Sequence, residues 1–280
     1  MIDATLTRPA LRYRGGKWMI APWIIAHLPP HECYVETHCG GASVLLRKPP
    51  ADFEVLNDLD SQVVNFWRVL RERRDEFLQA IELTPWSRSE QLQAYQPSAD
   101  PLESARRFYI RCWQGRGNSA ERSGWRFQRS WSGWRVNKPR QFKEVDNLEW
   151  VVNRLAHVQL ENRDALKIVE VWDAPGVLFY LDPPYVHSTR GRNRRLYREE
   201  MDDTAHVALA DALRGIKGMA VVSGYDSPLY DRLFRGWRKE SRPALGDQTK
   251  PTIECLWISP KADKAMGDGP LFDGIPMEGK

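Results

Sequence analysis

Asp182, Pro183, Pro184 and Tyr185 form an Asp-Pro-Pro-Tyr motif directly after the apolar run of residues 177–180. The two prolines stiffen the backbone and have no N–H group, which leaves carbonyl groups free as acceptors. The Asp182 carboxylate and the Pro183 carbonyl can together accept two hydrogen bonds from an exocyclic NH₂ group, while the Tyr185 ring stacks on the base that bears it. Taken alone, the motif fits either a turn that ends a strand or a site for an amino-purine or amino-pyrimidine taken out of its stack.

A second candidate site is a glycine turn that follows an acid. Glu36 ends a short apolar run and precedes Gly40, Gly41 and a helix-like stretch from Ser43. Glycines there permit close approach of a ligand to the backbone, and the acid can bind an amine or a ribose hydroxyl. Asp58 closes the next predicted strand, where an acid commonly binds a ribose diol. The turn lacks the Lys-Ser/Thr of a phosphate-binding loop and the spaced three-glycine dinucleotide pattern, which disfavours nucleoside triphosphates and NAD.

Basic residues are concentrated in two segments, although the net charge is only +4. Residues 106–143 hold eleven Lys or Arg against the single acid Glu121, and residues 187–198 hold five Arg and no acid. Four tryptophans alternate with the arginines of the first segment, a mixture suited to gripping phosphates and stacking on bases. A solvated basic loop is the alternative. The candidate nucleic-acid contacts are Arg116, Arg122, Arg126, Arg129, Arg135, Lys138, Arg190, Arg192, Arg194 and Arg195.

Apolar runs alternate with helical periodicities along the chain. The predicted strands are residues 33–36, 53–57, 158–161, 177–181, 219–223 and 252–258, and the predicted helices are residues 61–83, 165–171, 204–216 and 227–234. This alternation predicts an α/β fold with a mostly parallel sheet, helices on both faces and a binding site beyond the carboxyl ends of the strands. About a hundred residues separate the second and third strands, so an insert that carries recognition is expected there.

The composition indicates a globular protein. The 280 residues are 42% apolar and 28% charged, enough for a sizeable core without staples. Four scattered cysteines without a CxxC pair argue against a zinc site or a disulfide framework. No apolar run nears the roughly 18 residues of a membrane span, and the start of the chain does not resemble an export signal. A reducing cytoplasm, without membrane association, is the expected compartment.

Four motifs, in their order along the chain, resemble the adenine-specific DNA methyltransferases of the family that includes the bacterial GATC-methylating enzyme and its phage relatives. They are the Tyr-Arg-Gly-Gly-Lys of residues 13–17, which alone is typical of a turn, the Glu-x-x-x-Gly-Gly-x-Ser of residues 36–43, the acid Asp58, and the Asp-Pro-Pro-Tyr of residues 182–185. The resemblance extends from residue 11 to residue 258. It implies a Rossmann-like methyltransferase fold with an antiparallel closing strand and a mainly helical target-recognition insert.

The resemblance implies S-adenosyl-L-methionine as the cofactor. It places Tyr13 and Lys17 beside the cofactor, Glu36 and Gly40 around its methionine part, and Asp58 on its ribose. A further acid, Asp164, is similar to the residue that contacts the cofactor's adenine, although it also fits a helix N-cap.

The implied reaction is methyl transfer to the exocyclic amine of adenine in double-stranded DNA after base flipping. Asp182, beside both cofactor and target base, and the Pro183 carbonyl would hold the amine for direct attack, and Tyr185 would clamp the base. No metal or covalent nucleophile is required. The alternatives are methylation of the exocyclic amine of cytosine, action on RNA, and a catalytically silent DNA-binding protein of the same fold.

Two departures from the family pattern concern the glycine turn and the insert. Thr37-His38 replaces the usual Pro-Phe, and Ala42 replaces a Gly before the Ser, so the turn is expected to be shaped differently. The insert does not carry the family's familiar recognition sequence, so the resemblance gives no target site. We expect a catalytic domain of residues 1–60 and 145–260, a recognition insert of residues 61–144, a weakly ordered tail of residues 261–280, and a monomer acting on DNA in a bacterial or phage-infected cell.

Overall fold

A seven-stranded sheet organises the residues that the structure describes, which in this computed structural model are 6, 8–116, 123–127, 137–190, 196–245 and 251–267. The order across the sheet is β3-β2-β1-β4-β5-β7-β6, in which β1 to β5 run parallel and β7 pairs antiparallel with β5 and β6. The predicted mostly parallel α/β sheet with an antiparallel closing strand is therefore confirmed. The strands are β1 Cys33–Glu36, β2 Phe53–Asn57, β3 Val158–Glu161, β4 Val177–Leu181, β5 Met219–Tyr225, β6 Arg238–Leu245 and β7 Pro251–Ile258.

Helices cover both faces of the sheet, because alternate residues of a strand point to opposite sides. The helices are α1 Ala21–Ile25, α2 Ser43–Arg47, α3 Ser61–Glu72, α4 Arg74–Leu83, α5 Arg88–Gln93, α6 Pro101–Gln114, α7 Lys138–Lys143, α8 Asp146–Leu155, α9 Ala165–Trp172, α10 Asp203–Arg214, α11 Pro228–Leu233 and α12 Pro260–Gly267. Tyr34 of β1 joins one hydrophobic cluster with side chains of α2, α3, α6 and α8, whereas Val35 joins a second cluster with side chains of α9, α10 and α11.

β1 lies between β2 and β4, at the point where the strand order reverses. Glu36 pairs in register with Leu56 on one side and with Tyr180 on the other. Because the three strands are parallel, their carboxyl ends meet at one edge of the sheet, and Asp58 and Asp182 follow β2 and β4 there. Open α/β sheets bind their ligands at such a switch point.

The single helix predicted over residues 61–83 is wrong, because the chain breaks at Arg73 into α3 and α4. Arg73 leaves the helical region with φ −127° and ψ 42°. The break allows Phe66 of α3 and Phe77 of α4 to pack on Tyr109 of α6, with ring centroids 6.2 Å and 5.9 Å away. The apolar periodicity continues across the break, so the pattern alone did not reveal it.

Strand β6 was absent from the prediction. Its sequence is mostly polar and contains Pro243, which does not resemble a buried strand. Charged residues and proline are typical of an edge strand, where they prevent pairing with another chain.

The insert begins on the same helical layer that covers the sheet. Beyond α6, residue Gly115 pairs antiparallel with Trp125, and the Arg116 amide donates to the Gly124 carbonyl at 2.7 Å. Tyr95 fixes this pairing, because its hydroxyl accepts the Ser123 amide at 3.0 Å. The domain boundaries at residues 61 and 144 stay a prediction.

The predicted weak order of the tail is wrong for residues 261–267, which belong to α12. Ala262 of this helix is fully buried, and the Ser259 hydroxyl accepts the Ala220 amide of β5 at 3.0 Å. Residues 268–280 lie outside the described part of the chain. Across the described residues, no helix has the length and apolar character needed to span a bilayer.

Candidate active site

A cavity of about 200 Å³ opens at the edge of the sheet where β1, β2 and β4 end. All seven residues predicted around the cofactor contribute to its wall, namely Tyr13, Lys17, Glu36, Gly40, Asp58, Asp164 and Asp182. Pro184 also lines the cavity, whereas Pro183 is buried and Tyr185 lies beside Lys17 outside the lining. The structure thus brings the predicted residues together, and their individual roles stay predictions.

Glu36 is fixed at the end of β1 and is 3% exposed. Its Oε2 accepts hydrogen bonds from the Tyr34 hydroxyl at 3.0 Å and from the Leu45 amide of α2 at 3.2 Å. Burial raises the pKa of Glu36 to about 8, and these two hydrogen bonds offset the burial only in part. The carboxyl group is therefore largely neutral at pH 7, and a cation bound in the cavity would ionise it.

The glycine turn after β1 is held by Asp58. The Gly40 amide donates to Asp58 Oδ2 at 2.8 Å, and the Asp60 amide donates to Asp58 Oδ1 at 2.9 Å. Burial raises the pKa of Asp58 to about 7, although both amides act in the opposite direction. Asp58 is thus a half-buried acid directly after β2, and its remaining lone pairs can accept further hydrogen bonds.

Residue 40 must be glycine for two reasons, which are its backbone conformation and the lack of room for a side chain. Its φ is +44°, and a Cβ there would lie 2.7 Å from the ring of Tyr13. Ala42, which stands where the family has glycine, also takes a left-handed conformation with φ 49°.

His38 lies in the same turn and forms a hydrogen bond through its Nδ1 with the Thr37 hydroxyl at 2.8 Å. Burial lowers the pKa of His38 to about 3. His38 is therefore a neutral ring of the cavity wall.

Lys17 lies on the Asp-Pro-Pro-Tyr motif. Its Nζ is 2.8 Å from Asp182 Oδ2, 3.9 Å from Glu254 Oε1 and 4.8 Å from the centroid of the Tyr185 ring. Burial lowers the pKa of Lys17, but the two carboxylates outweigh burial and raise the pKa above its ordinary value. The ammonium is thus buried, charged and held between two acids.

Asp182 is oriented from its other side by a hydrogen-bonded chain. The Ser223 hydroxyl donates to Asp182 Oδ1 at 2.9 Å, and the Tyr180 and Ser223 hydroxyls lie 3.0 Å apart. Because Ser223 has one proton to donate, Tyr180 donates to Ser223. The second oxygen, Oδ2, faces Lys17.

Tyr185 is anchored through its hydroxyl, which donates to Glu254 Oε1. Its ring packs at 4.4 Å and 68° against the ring of Tyr225. Burial raises the pKa of Glu254, while Lys17 and the Tyr185 hydroxyl oppose that rise.

Asp164 caps α9, because its Oδ1 accepts the Leu166 amide at 2.8 Å. The N-cap reading is therefore confirmed. The same residue also lines the cavity, so a contact with a ligand is compatible with the cap.

Three residues of the site were absent from the sequence prediction: Glu254, Ser223 and Tyr197. Glu254 is a charged residue inside an apolar strand, and this contrast was the available signal. Ser223 gave no signal, because its partner Asp182 is remote in sequence. Tyr197 lines the cavity beside Gly15, where an added Cβ would lie 2.4 Å from the Tyr197 hydroxyl.

The structure describes four of the ten predicted nucleic-acid contacts. Arg190 is placed differently from the prediction, because its side chain is 3% exposed and its Nη1 lies 2.6 Å from Glu200 Oε2. A buried, paired guanidinium does not face a phosphate. The other six, Arg122, Arg129, Arg135, Arg192, Arg194 and Arg195, lie outside the described residues.

The remaining three predicted contacts form a basic group together with Arg12. Burial and the guanidinium groups of Arg12 and Arg116 lower the pKa of Arg126 to about 10. Burial, followed by Arg126, Arg12 and Arg116, also lowers the pKa of Lys138. One nitrogen of Arg126, Nη1, is buried and has no hydrogen-bond partner among the residues that the structure describes. These like charges repel one another, so an anion bound among them would relieve the repulsion.

A family model described as D12 class N6 adenine-specific DNA methyltransferase matches residues 13–243. The DNA adenine methylase of Escherichia coli (strain K12) is 36% identical over 75 residues, which are 26% of each chain. That of Serratia marcescens is 32% identical over 71 residues, or 25% of this chain and 26% of that protein. The chain thus spans about a quarter of the length of the curated relatives that it matches.

Two solved structures align with most of this chain at low similarity. A protein of Streptococcus mutans described as a methyltransferase, in complex with SAH, has a TM-score of 0.38 and 8% identity, and the alignment covers 86% of this chain and 96% of that one. An rRNA methylase from Streptococcus thermophilus has a TM-score of 0.34 and 10% identity, with coverage of 91% and 99%.

Proposed function

Because the chain belongs to the D12 class of N6 adenine-specific DNA methyltransferases, we propose that it transfers a methyl group from S-adenosyl-L-methionine to the exocyclic amine of adenine in double-stranded DNA. The observation that carries the proposal is the convergence of Glu36, Asp58 and Asp182 in one cavity at the ends of three parallel strands. The reaction would take place in the cytoplasm of a bacterial or phage-infected cell, with the protein acting on DNA as a monomer.

The acids of the cavity suit this cofactor, which carries an ammonium group, a sulfonium and a ribose diol. Glu36 would bind the ammonium group of the cofactor. Burial disfavours the ionised carboxylate of Glu36 and so raises its pKa, and the bound cation would stabilise this ionised form. Asp58 would accept the ribose hydroxyls, and Asp164 would contact the adenine ring. When bound, the cofactor supplies an electrophilic methyl group.

Asp182 and the Pro183 carbonyl would hold the target amine as acceptors. The hydrogen bond from Ser223 fixes the Asp182 carboxylate, so that Oδ2 is directed to the position that Lys17 occupies. A fixed carboxylate aligns the amine with the methyl group and stabilises the positive charge that develops on its nitrogen. The Tyr185 ring, held through its hydroxyl, offers a surface on which a flipped base stacks.

The basic group formed by Arg12, Arg116, Arg126 and Lys138 would bind the DNA backbone. Within the described part of the chain, Arg126 has a buried donor without a partner and lies near the like charges of Arg12 and Arg116. A bound phosphate would accept from this donor and offset the repulsion. Trp125, which pairs with Gly115 at the base of the insert, holds Arg126 next to α6. We propose the same role for Arg122, Arg129, Arg135, Arg192, Arg194 and Arg195.

The test is an assay with cofactor carrying a labelled methyl group. Unmethylated DNA and RNA are incubated separately with the wild-type protein and with Asp182→Ala. The proposal expects label in DNA, little in RNA, and none with the variant, whose cofactor binding is checked by calorimetry. Label confined to RNA, or none in either polymer, would contradict it. The second result would favour the catalytically silent DNA-binding alternative.

A further inference from the structure

Lys17 occupies the place that the proposed function assigns to the target amine. Its ammonium lies 2.8 Å from Asp182 Oδ2 and 4.8 Å from the centroid of the Tyr185 ring. The incoming base needs the same two contacts, since its amine must donate to Asp182 and its ring must stack on Tyr185. Lys17 and the base therefore compete for this position, and Lys17 must move before the base can bind.

Glu254 is the second acid within ion-pair distance of Lys17 among the residues that the structure describes, with Oε1 3.9 Å from Nζ. It is 4% exposed and accepts the hydroxyl of Tyr185. A displacement of about 1 Å would bring the ammonium to hydrogen-bond distance from Glu254. The Lys17 ammonium also donates to the Gly15 carbonyl at 2.8 Å, but a neutral carbonyl does not balance its charge. A buried ammonium that lost Asp182 without a second carboxylate would be strongly destabilised.

We infer that Glu254 is a positioning residue of the transfer site, which receives the ammonium of Lys17 from Asp182 when the target amine arrives and holds the Tyr185 ring for the base. The inference rests on the proposed function and deepens it. Nothing in the Asp-Pro-Pro-Tyr motif itself provides this second acid, because Glu254 lies on β7, the antiparallel strand beside β5.

The charges of the group support this role. In the free protein, Lys17 carries one positive charge and faces the two carboxylates of Asp182 and Glu254. During methyl transfer the amine nitrogen gains positive charge and pairs with Asp182, while Lys17 pairs with Glu254. The two acids then face Lys17 and the positive charge that develops on the amine, so that the group is closer to neutral in the transition state than in the free protein.

The experiment replaces Glu254 with Gln, which keeps the size of the side chain and an oxygen that can accept the Tyr185 hydroxyl but removes the charge. Single-turnover methylation of unmethylated genomic DNA is expected to slow by about 100-fold, in line with the loss of a buried ion pair. Cofactor affinity by calorimetry should stay near that of the wild type. Glu240→Gln on the adjacent strand β6 removes the same charge from a more exposed site and should leave the rate unchanged.

Two further variants separate positioning from a purely structural role. Glu254→Asp keeps the charge and should recover part of the rate, and in a Lys17→Met background Glu254→Gln should cause little additional loss, because no ammonium then needs a second acid. A wild-type rate for Glu254→Gln, an Asp variant no faster than the Gln variant, or fully additive losses would each overturn the inference. A wild-type protein that methylates no DNA would instead overturn the proposed function and the inference with it.

Discussion

Replacing Arg126 with Gln is expected to stabilise the free protein while weakening its binding to DNA. In the free protein, burial and the guanidinium groups of Arg12 and Arg116 lower the pKa of Arg126 from its ordinary value to about 10. The group stays charged at neutral pH, but its charged form is less favourable there than in water. In the DNA complex, we propose that the same guanidinium pairs with a phosphate, so that one substitution acts in opposite directions on folding and on binding.

The magnitude follows from the size of that pKa change. At about 1.4 kcal/mol per pH unit, it corresponds to about 3 kcal/mol of unfavourable interaction in the charged form. Solvent screening at this half-buried site reduces the value to about 1 kcal/mol. For a chain of this size, the midpoint of thermal unfolding should rise by about 2 °C. Loss of one phosphate contact should reduce the slope of log Kd against log salt by about 0.9.

The assays are thermal unfolding of the free protein and DNA binding by fluorescence anisotropy at several salt concentrations. Arg235→Gln is the matched control, because it removes the same charge from an exposed site beyond α11 and should change neither measurement. The argument would be refuted if the Arg126→Gln protein were less stable than the wild type and kept the full salt dependence of DNA binding. Like charges would then not destabilise the Arg126 guanidinium, and it would not bind a phosphate.

Three further predictions concern the cavity. Asp182→Ala should abolish methylation but leave DNA affinity almost unchanged, because it removes an acceptor of the amine and no phosphate contact. Glu36→Gln should weaken cofactor binding at least roughly tenfold by calorimetry. Because the pKa of Glu36 is raised to about 8, its protonated carboxyl stabilises the cofactor-free protein fully below pH 4.5, and this contribution is lost as pH rises through 8. In Glu36→Gln, the midpoint of thermal unfolding should therefore decrease less over this pH range than in the wild type. Gly40→Ala should lower stability by about 1–3 kcal/mol because of its positive φ and the Tyr13 ring. Gly215→Ala should be tolerated, because an added Cβ there has no atom of the described residues within 4 Å.

Each of these three predictions has a result that would contradict it. Residual turnover near the wild-type rate in Asp182→Ala would remove that residue from the chemistry. Unchanged cofactor affinity in Glu36→Gln would place the ammonium group elsewhere. Equal stability of the Gly40→Ala and Gly215→Ala variants in chemical denaturation would show that the turn accommodates a side chain at Gly40.

The sheet could be predicted from the sequence because its central strands are short apolar runs that end in polar residues. Residues 177–181, for example, are five buried side chains in a row, as expected for a parallel strand covered on both faces. β6 lacked this signal, because its edge position favours polar residues and Pro243. The break at Arg73 was also hidden, since apolar residues continue at helical spacing on both sides of it.

The composition of the cavity was predicted, but the pairing within it was not. The resemblance assigned Lys17 to the cofactor, a role that stays a prediction. It did not reveal that the Lys17 ammonium also lies within ion-pair distance of Asp182 and Glu254. Ion pairs between residues far apart in sequence depend on the register of strands and on side-chain direction, which a motif does not encode. Arg190 is a second example. The number of basic residues in its segment did not reveal that its guanidinium pairs with the Glu200 carboxylate.

The most direct test of the central claim is the identity of the methylated base. DNA without prior methylation is incubated with the protein and S-adenosyl-L-methionine, digested to nucleosides and analysed by mass spectrometry. The proposed geometry of Asp182, Pro183 and Tyr185 predicts N6-methyladenine, and its absence when Asp182→Ala is used. N4-methylcytosine as the sole product would show that the cavity accepts the other amine-bearing base, and the same yield of N6-methyladenine with Asp182→Ala would contradict the proposed site.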